Sequence, residues 1–152
     1  MKQAEKFCKT CGADISGYAT CKYVYHELSY YTLAHPDYAL FIHQYIVDAY
    51  AASHTSENAK PITTAFGLIG LYLFCELNYT GKQVQNEHVR LGKRKRAWPL
   101  FTPPLKKATI TVADVLRAEA GEDRDHMIRL WAKSVWDIWK AAHAQVENLL
   151  RE

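Results

Sequence analysis

The chain is short of several things, and each shortage closes a class. Four cysteines in 152 residues are too few for a disulfide-dense scaffold. Five prolines and seven glycines exclude collagen-like and low-complexity chains. The longest apolar run, AFGLIGLYLFC from Ala65 to Cys75, falls well below the roughly 20 residues that a membrane helix needs. The opening MKQAEKFCKTCGAD has a lysine but no apolar stretch behind it, so no secretory leader is expected. Net charge is only +3, too little to mark a nucleic-acid binder by itself. No GxSxG, P-loop or GxGxxG occurs; Gly67-Leu-Ile-Gly70 has the wrong spacing and lies in an apolar helix. Nucleophilic and phosphate chemistry thus have no sequence support. Strand-like alternation is also scarce, with Thr109 to Val112 the one short candidate.

What is present points to a folded helical chain. Apolar residues make up 49% and charged residues 23%, ordinary globular usage that argues against disorder. The length suits one domain spanning 1–152. A cytoplasmic protein with reduced thiols is expected.

Periodicity predicts all-α architecture, a compact bundle of about four main helices behind an N-terminal metal knuckle at 7–21. A first helix is expected over 18–34 and a second over 36–52, opened by His35-Pro36-Asp37. A third, over 61–77, is apolar almost all round and should be the most buried. Its Gly67 and Gly70 would let a neighbour approach closely. These three form a unit over 18–79. Short helices are expected over 82–91 and 111–120, the latter opened by a capping box at Thr111-Val-Ala-Asp114 and closed at Gly121. Between them GKRKRAWPLFTPPLKK carries Pro99, Pro103 and Pro104, which forbid continuous helix. A closing helix is predicted over 123–150, with Met127, Ile128, Trp131, Val135, Ile138, Trp139, Ala142, Val146 and Leu149 on one stripe. The aromatics divide along the chain: all ten tyrosines lie between Tyr18 and Tyr79, all four tryptophans between Trp98 and Trp139. That division reads as two walls of one core. Trp136 falls off the stripe, so exposed tryptophans could form a homodimer face or complete the core of the single chain.

Cys8-Lys-Thr-Cys11-Gly12 is the sharpest motif. A CxxC turn brings two thiolates to one ion, and the following glycine eases the turn. Cys21 supplies a third ligand. A short connection makes the first two helices antiparallel, which sets the start of one beside the end of the next and offers His54 as the fourth. Cys8, Cys11, Cys21 and His54 would make a closed, structural Zn²⁺ site; His43 is the other candidate for the last position. A redox pair is the competing reading, but the βαβ setting of such motifs is missing. Cys75, in the apolar third helix, reads as a small core residue.

His43 and His54 are eleven residues apart, about 16 Å along a helix at 1.5 Å per residue, too far to share one ion. The same antiparallel register brings His26, Glu27, His43 and Asp48 to the inside of the first helical hairpin. They form either a second polar site, catalytic or metal-binding, or hydrogen-bonded residues on partly exposed faces; no HExxH or ExxH signature accompanies them. His35 reads as a helix-start residue, and His88, His126 and His143 as isolated surface or core residues. Arg90, Lys93, Arg94, Lys95, Arg96, Lys106 and Lys107 fall in a span without an acidic residue, interleaved with Trp98 and Phe101. Cations and stacking rings together could hold a nucleic acid, with Lys93, Arg94, Lys95, Arg96 and Trp98 as the contacts.

Taken in order, CKTCG, a cysteine opening the first helix, HQYIVDAYAASH, the apolar helix, TVADVL and WAKSVWDIW resemble an uncharacterised bacterial family of small proteins, a domain of unknown function. On that resemblance Cys8, Cys11, Cys21, His43, Val47, Tyr50 and His54 match the family pattern, which implies no established activity. The leading expectation is a zinc-binding helical protein acting as a binding or interaction module. The alternatives are a metal-dependent hydrolase working near His43 and Asp48, and a nucleic-acid binder through 90–107.

Overall fold

The computed structural model describes residues 6–34, 40–55 and 59–152. Among them are seven α-helices and no strand beyond an isolated bridge between Phe7 and Asp14. The all-α expectation holds, but the count of about four main helices does not. The helices are α1 (Cys21–Leu33), α2 (His43–Ser53), α3 (Pro61–Cys75), α4 (Gly81–Gly92), α5 (Val112–Arg117), α6 (Glu122–Ile138) and α7 (His143–Arg151). None of the described helices is long and apolar enough to cross a membrane.

Local chemistry sets several of the boundaries. The Thr20 hydroxyl accepts from the Tyr23 N–H at 3.3 Å and starts α1. Thr80 with Gln83, and Thr111 with Asp114, each form a reciprocal capping box, the second as the sequence predicts. The predicted second helix begins late. Its expected start at 36 lies outside the described residues, but Phe41 stands at φ 43°, which no α-helix admits. The Leu40 carbonyl accepts from Gly81 N–H at 2.7 Å, so this corner is fastened to the start of α4. A Cβ at position 81 would lie 1.9 Å from the Phe41 carbonyl oxygen, which explains the glycine.

The predicted closing helix is in fact two. Trp139 leaves α6 at φ −93°, ψ 18°, and a 3-10 turn (Lys140–Ala142) leads into α7. The Trp136 carbonyl, which a continuing helix would bond to the N–H four residues on, accepts from Trp139 N–H at 3.0 Å instead. It also meets His143 Nε2 at 2.8 Å, with the His143 ring stacked 3.7 Å from that of Trp136. No glycine or proline announces this break. Because a 3-10 turn offsets the stripe by little, Val146 and Leu149 stay buried beyond it.

The core sits where α3, the most apolar helix, packs against α2, α6 and α7. Gly67 and Gly70 do admit a neighbour, and it is α2: a Cβ at Gly67 would stand 3.1 Å from the Ala51 Cβ and the Asp48 carbonyl. The tryptophans of α6 and its end, Trp131, Trp136 and Trp139, are all buried, so the exposed tryptophan face is not found. Two of their indoles have partners: Trp136 Nε1 donates to Glu76 at 2.8 Å and Trp139 Nε1 to the Ala52 carbonyl at 3.0 Å.

Candidate metal centre

The N-terminal segment folds as a tight knuckle. Cys8 N–H donates to the Ala13 carbonyl and Gly12 N–H to the Cys8 carbonyl, both at 2.8 Å. Gly12 takes φ +81°, a conformation glycine adopts without the Cβ penalty. Ala13 N–H points at Cys11 Sγ, 3.4 Å away, the kind of backbone donor that stabilises a thiolate. Cys21 is the first residue of α1, and His54 caps the end of α2.

The three sulfurs and a ring nitrogen of His54 converge. Cys11 and Cys21 sulfurs are 3.6 Å apart; His54 Nε2 lies 3.3 Å from Cys21 Sγ and 3.8 Å from Cys8 Sγ. All four ligand atoms lie within 4.8 Å of one another. Cys11 and Cys21 are buried, Cys8 and His54 half-buried. These four residues could hold a metal ion, and His54 rather than His43 completes the set. The residues behind His54 prepare it. Its Nδ1 lies 2.9 Å from the Tyr50 carbonyl and 3.0 Å from Ser53 Oγ. In the neutral ring, an Nδ1–H donating there leaves the Nε2 lone pair toward the sulfurs. The Tyr50 ring stacks on His54 at 3.8 Å, and Tyr25 stacks on Tyr50 at 4.1 Å.

Electrostatics show how crowded the cluster is. Contacts with Cys11 and Cys21 hold the Cys8 thiol far below its usual range, while contacts with Cys11 and Cys8 push Cys21 up. Burial opposes a proton on His54, but contacts with Cys11 and Cys8 overcome it and raise its pKa to about 9. The protons that this crowding leaves on Cys21 and His54 are ones a cation would displace, so ion binding and proton release are coupled.

Of the two readings of His26, Glu27, His43 and Asp48, the structure does not bring the four together as one site and gives His43 and Asp48 separate hydrogen-bond partners. His26 and Glu27 are exposed on α1. His43 Nδ1 lies 2.8 Å from Thr32 Oγ1. Asp48 is buried in a different network: Gln44 Nε2 donates to both its oxygens at 3.2 Å, and His88 Nε2 lies 3.1 Å from one and 3.3 Å from the other. Sequence reading missed the pairing of Asp48 with His88 because forty residues separate them and His88 carries no motif. The Cys8–Cys11–Cys21–His54 cluster is the one group of that kind among the described residues.

The basic segment is largely engaged within the chain. Arg90 pairs with Glu87 on α4. Arg94 donates to the Glu152 carbonyl at 2.8 Å, and Arg96 pairs with the Glu152 carboxylate while stacking 4.9 Å over Trp98. Trp98 is half-buried, edge-on to Phe66 at 5.0 Å. Lys107 donates to the Lys9 carbonyl at 2.9 Å, fastening the proline-rich loop to the knuckle. Lys93, Lys95 and Lys106 remain on the surface.

A family model described as a family of unknown function, DUF5946, matches residues 6–140. The chain belongs to that family. The match takes in the knuckle, both helices that carry the remaining ligands, and α6. Comparison with curated proteins and with solved structures finds no match.

Proposed function

We propose that Cys8, Cys11, Cys21 and His54 bind one Zn²⁺ as a closed structural centre, in a cytoplasmic protein that acts as a binding or interaction module. The ligand separations carry this reading. A zinc tetrahedron with Zn–S about 2.3 Å and Zn–N about 2.0–2.1 Å has edges of about 3.8 Å between sulfurs and about 3.6 Å between sulfur and nitrogen. The chain supplies 3.6 Å between Cys11 and Cys21, and 3.3 and 3.8 Å from His54 to Cys21 and Cys8. Three thiolates and an imidazole suit zinc better than hard cations such as magnesium or calcium. Four protein ligands leave no position for water, so the ion's work is to staple the knuckle to the start of α1 and the end of α2. A reducing compartment agrees with this, because oxidation of sulfurs 3.6 Å apart would remove two ligands at once.

Metal analysis of protein purified without added metal tests the proposal. About one equivalent of zinc is expected, falling several-fold in Cys8→Ser and His54→Gln. A chelator should lower the thermal midpoint of the parent chain but not of Cys8→Ser. A zinc content near zero, or one unchanged in both variants, would overturn it.

A further inference from the structure

At the other end of α2 from His54, about 13 Å along the helix axis, a groove of about 450 Å³ opens between the end of α3, the turn at 78–80 and α6. That volume is in the range of small-molecule sites. One wall is aromatic: Tyr45 and Phe74 both line it, their rings stacked on each other 3.7 Å apart at 16°. Trp136 and Ala132 of α6 face it. The polar atoms of these rings already have partners. Tyr45 Oη donates to the Tyr79 carbonyl at 3.1 Å, and Trp136 Nε1 donates to Glu76. The groove is therefore fixed in shape before anything enters it. Cys75 adds a neutral wall, since burial first, and the nearby carboxylates second, push its thiol up to about 12.

Two cations face the groove. Arg129 and Lys133, one turn apart on α6, both line it and are exposed. Among the described residues neither has a hydrogen-bond or ion-pair partner. Like charges four residues apart on a helix repel, so an anion between them would be stabilised by both. Asn78, at φ 56° on the same lining, adds an amide. Two carboxylates line the groove as well: Glu76, which holds the Trp136 indole, and Asp137, a turn beyond Lys133.

We infer that this groove binds a small planar carboxylate, its ring against the Tyr45–Phe74 wall and its carboxylate between Arg129 and Lys133. The aromatic wall favours a ring. The two free cations select an anion, and Glu76 with Asp137 disfavours multiply charged ones. The site is separate from the metal centre and does not rest on its occupancy.

Titration of the full-length chain as purified, with phenylacetate and indoleacetate as probes and proton–nitrogen correlation spectra as readout, tests this. Saturable shifts are expected at the Trp136 indole and at the Cys75 and Ala132 amides. The neutral amides of the same acids should bind about tenfold more weakly or worse. Arg129→Gln combined with Lys133→Gln should reduce the acids to that level while leaving the thermal midpoint and the remaining spectrum unchanged. No saturable shift from either acid, shifts confined to other surfaces, or amides binding as well as acids would overturn the inference.

Discussion

The carboxylate of Asp48 lies where a side chain at Gly70 would be. A Cβ built on Gly70 stands 1.9 Å from Asp48 Oδ2 and 2.3 Å from its Cγ. Asp48 is buried, held by Gln44 and His88, so it has no solvent to retreat into. One glycine on α3 thus makes room for the polar network that joins α2 to α4.

Gly70→Ala should therefore be costly despite alanine's better helix propensity. Propensity returns about 1 kcal/mol, but displacing a hydrogen-bonded buried carboxylate should cost about 3 kcal/mol. A net loss of about 2 kcal/mol is expected in urea unfolding. On an Asp48→Ala background the Gly70→Ala penalty should shrink or change sign, since the two positions are in contact. Equal penalties in both backgrounds would contradict the packing described.

Burial raises the Asp48 pKa, with His88 and Gln44 working the other way. Tyr25 of α1 is the other titratable group that senses its charge. A raised carboxylate pKa means that the folded state holds the proton more tightly than the unfolded one. The stability Asp48 contributes is then fully present below the unfolded value of about 3.9. It declines as pH rises toward the folded value. Asp48→Asn removes this dependence. The stability difference, Asn variant minus parent, should grow as pH rises from about 4 and then level off. Unfolding curves across that range check it; a difference that falls with pH would reverse the assignment.

Trp139 joins two helix ends. Its indole donates to the Ala52 carbonyl, one of the last-turn acceptors of α2 left without an intrahelical partner. Trp139→Phe keeps most of the apolar bulk and removes the donor, orphaning that carbonyl in the interior. A loss of about 1–3 kcal/mol is expected, measured by thermal or urea unfolding. A loss below about 0.5 kcal/mol would show that the bond carries little.

Gly12 is constrained twice. Its φ of +81° disfavours any side chain, and a Cβ would lie 3.2 Å from Lys107 Cδ. Gly12→Ala should cost about 1–2 kcal/mol. If the ion enforces the turn, that cost should be larger in metal-loaded protein than after chelation. Parallel melts with and without chelator decide the point.

The amino-acid sequence by itself determined the helical class, because apolar residues recur at three and four along most of the chain. It determined three of the four candidate ligands, because CxxC chemistry is local and Cys21 follows closely. His54 was reached through one topological step, since a short connection forces antiparallel helices and pairs the start of one with the end of the other. Tertiary structure alone decided the rest. The break at Trp139 goes with the Trp139 N–H and His143 sharing the Trp136 carbonyl, with no residue type that marks it. The burial of Asp48 depends on Gly70 and on His88, each on another helix, and the enclosed indoles of Trp136 and Trp139 find their partners in Glu76 and Ala52. Periodicity reports which face of a helix is apolar. It does not report which polar atom on a distant helix will meet that face, and here such long-range hydrogen bonds settled where the helices end and which polar residues are enclosed.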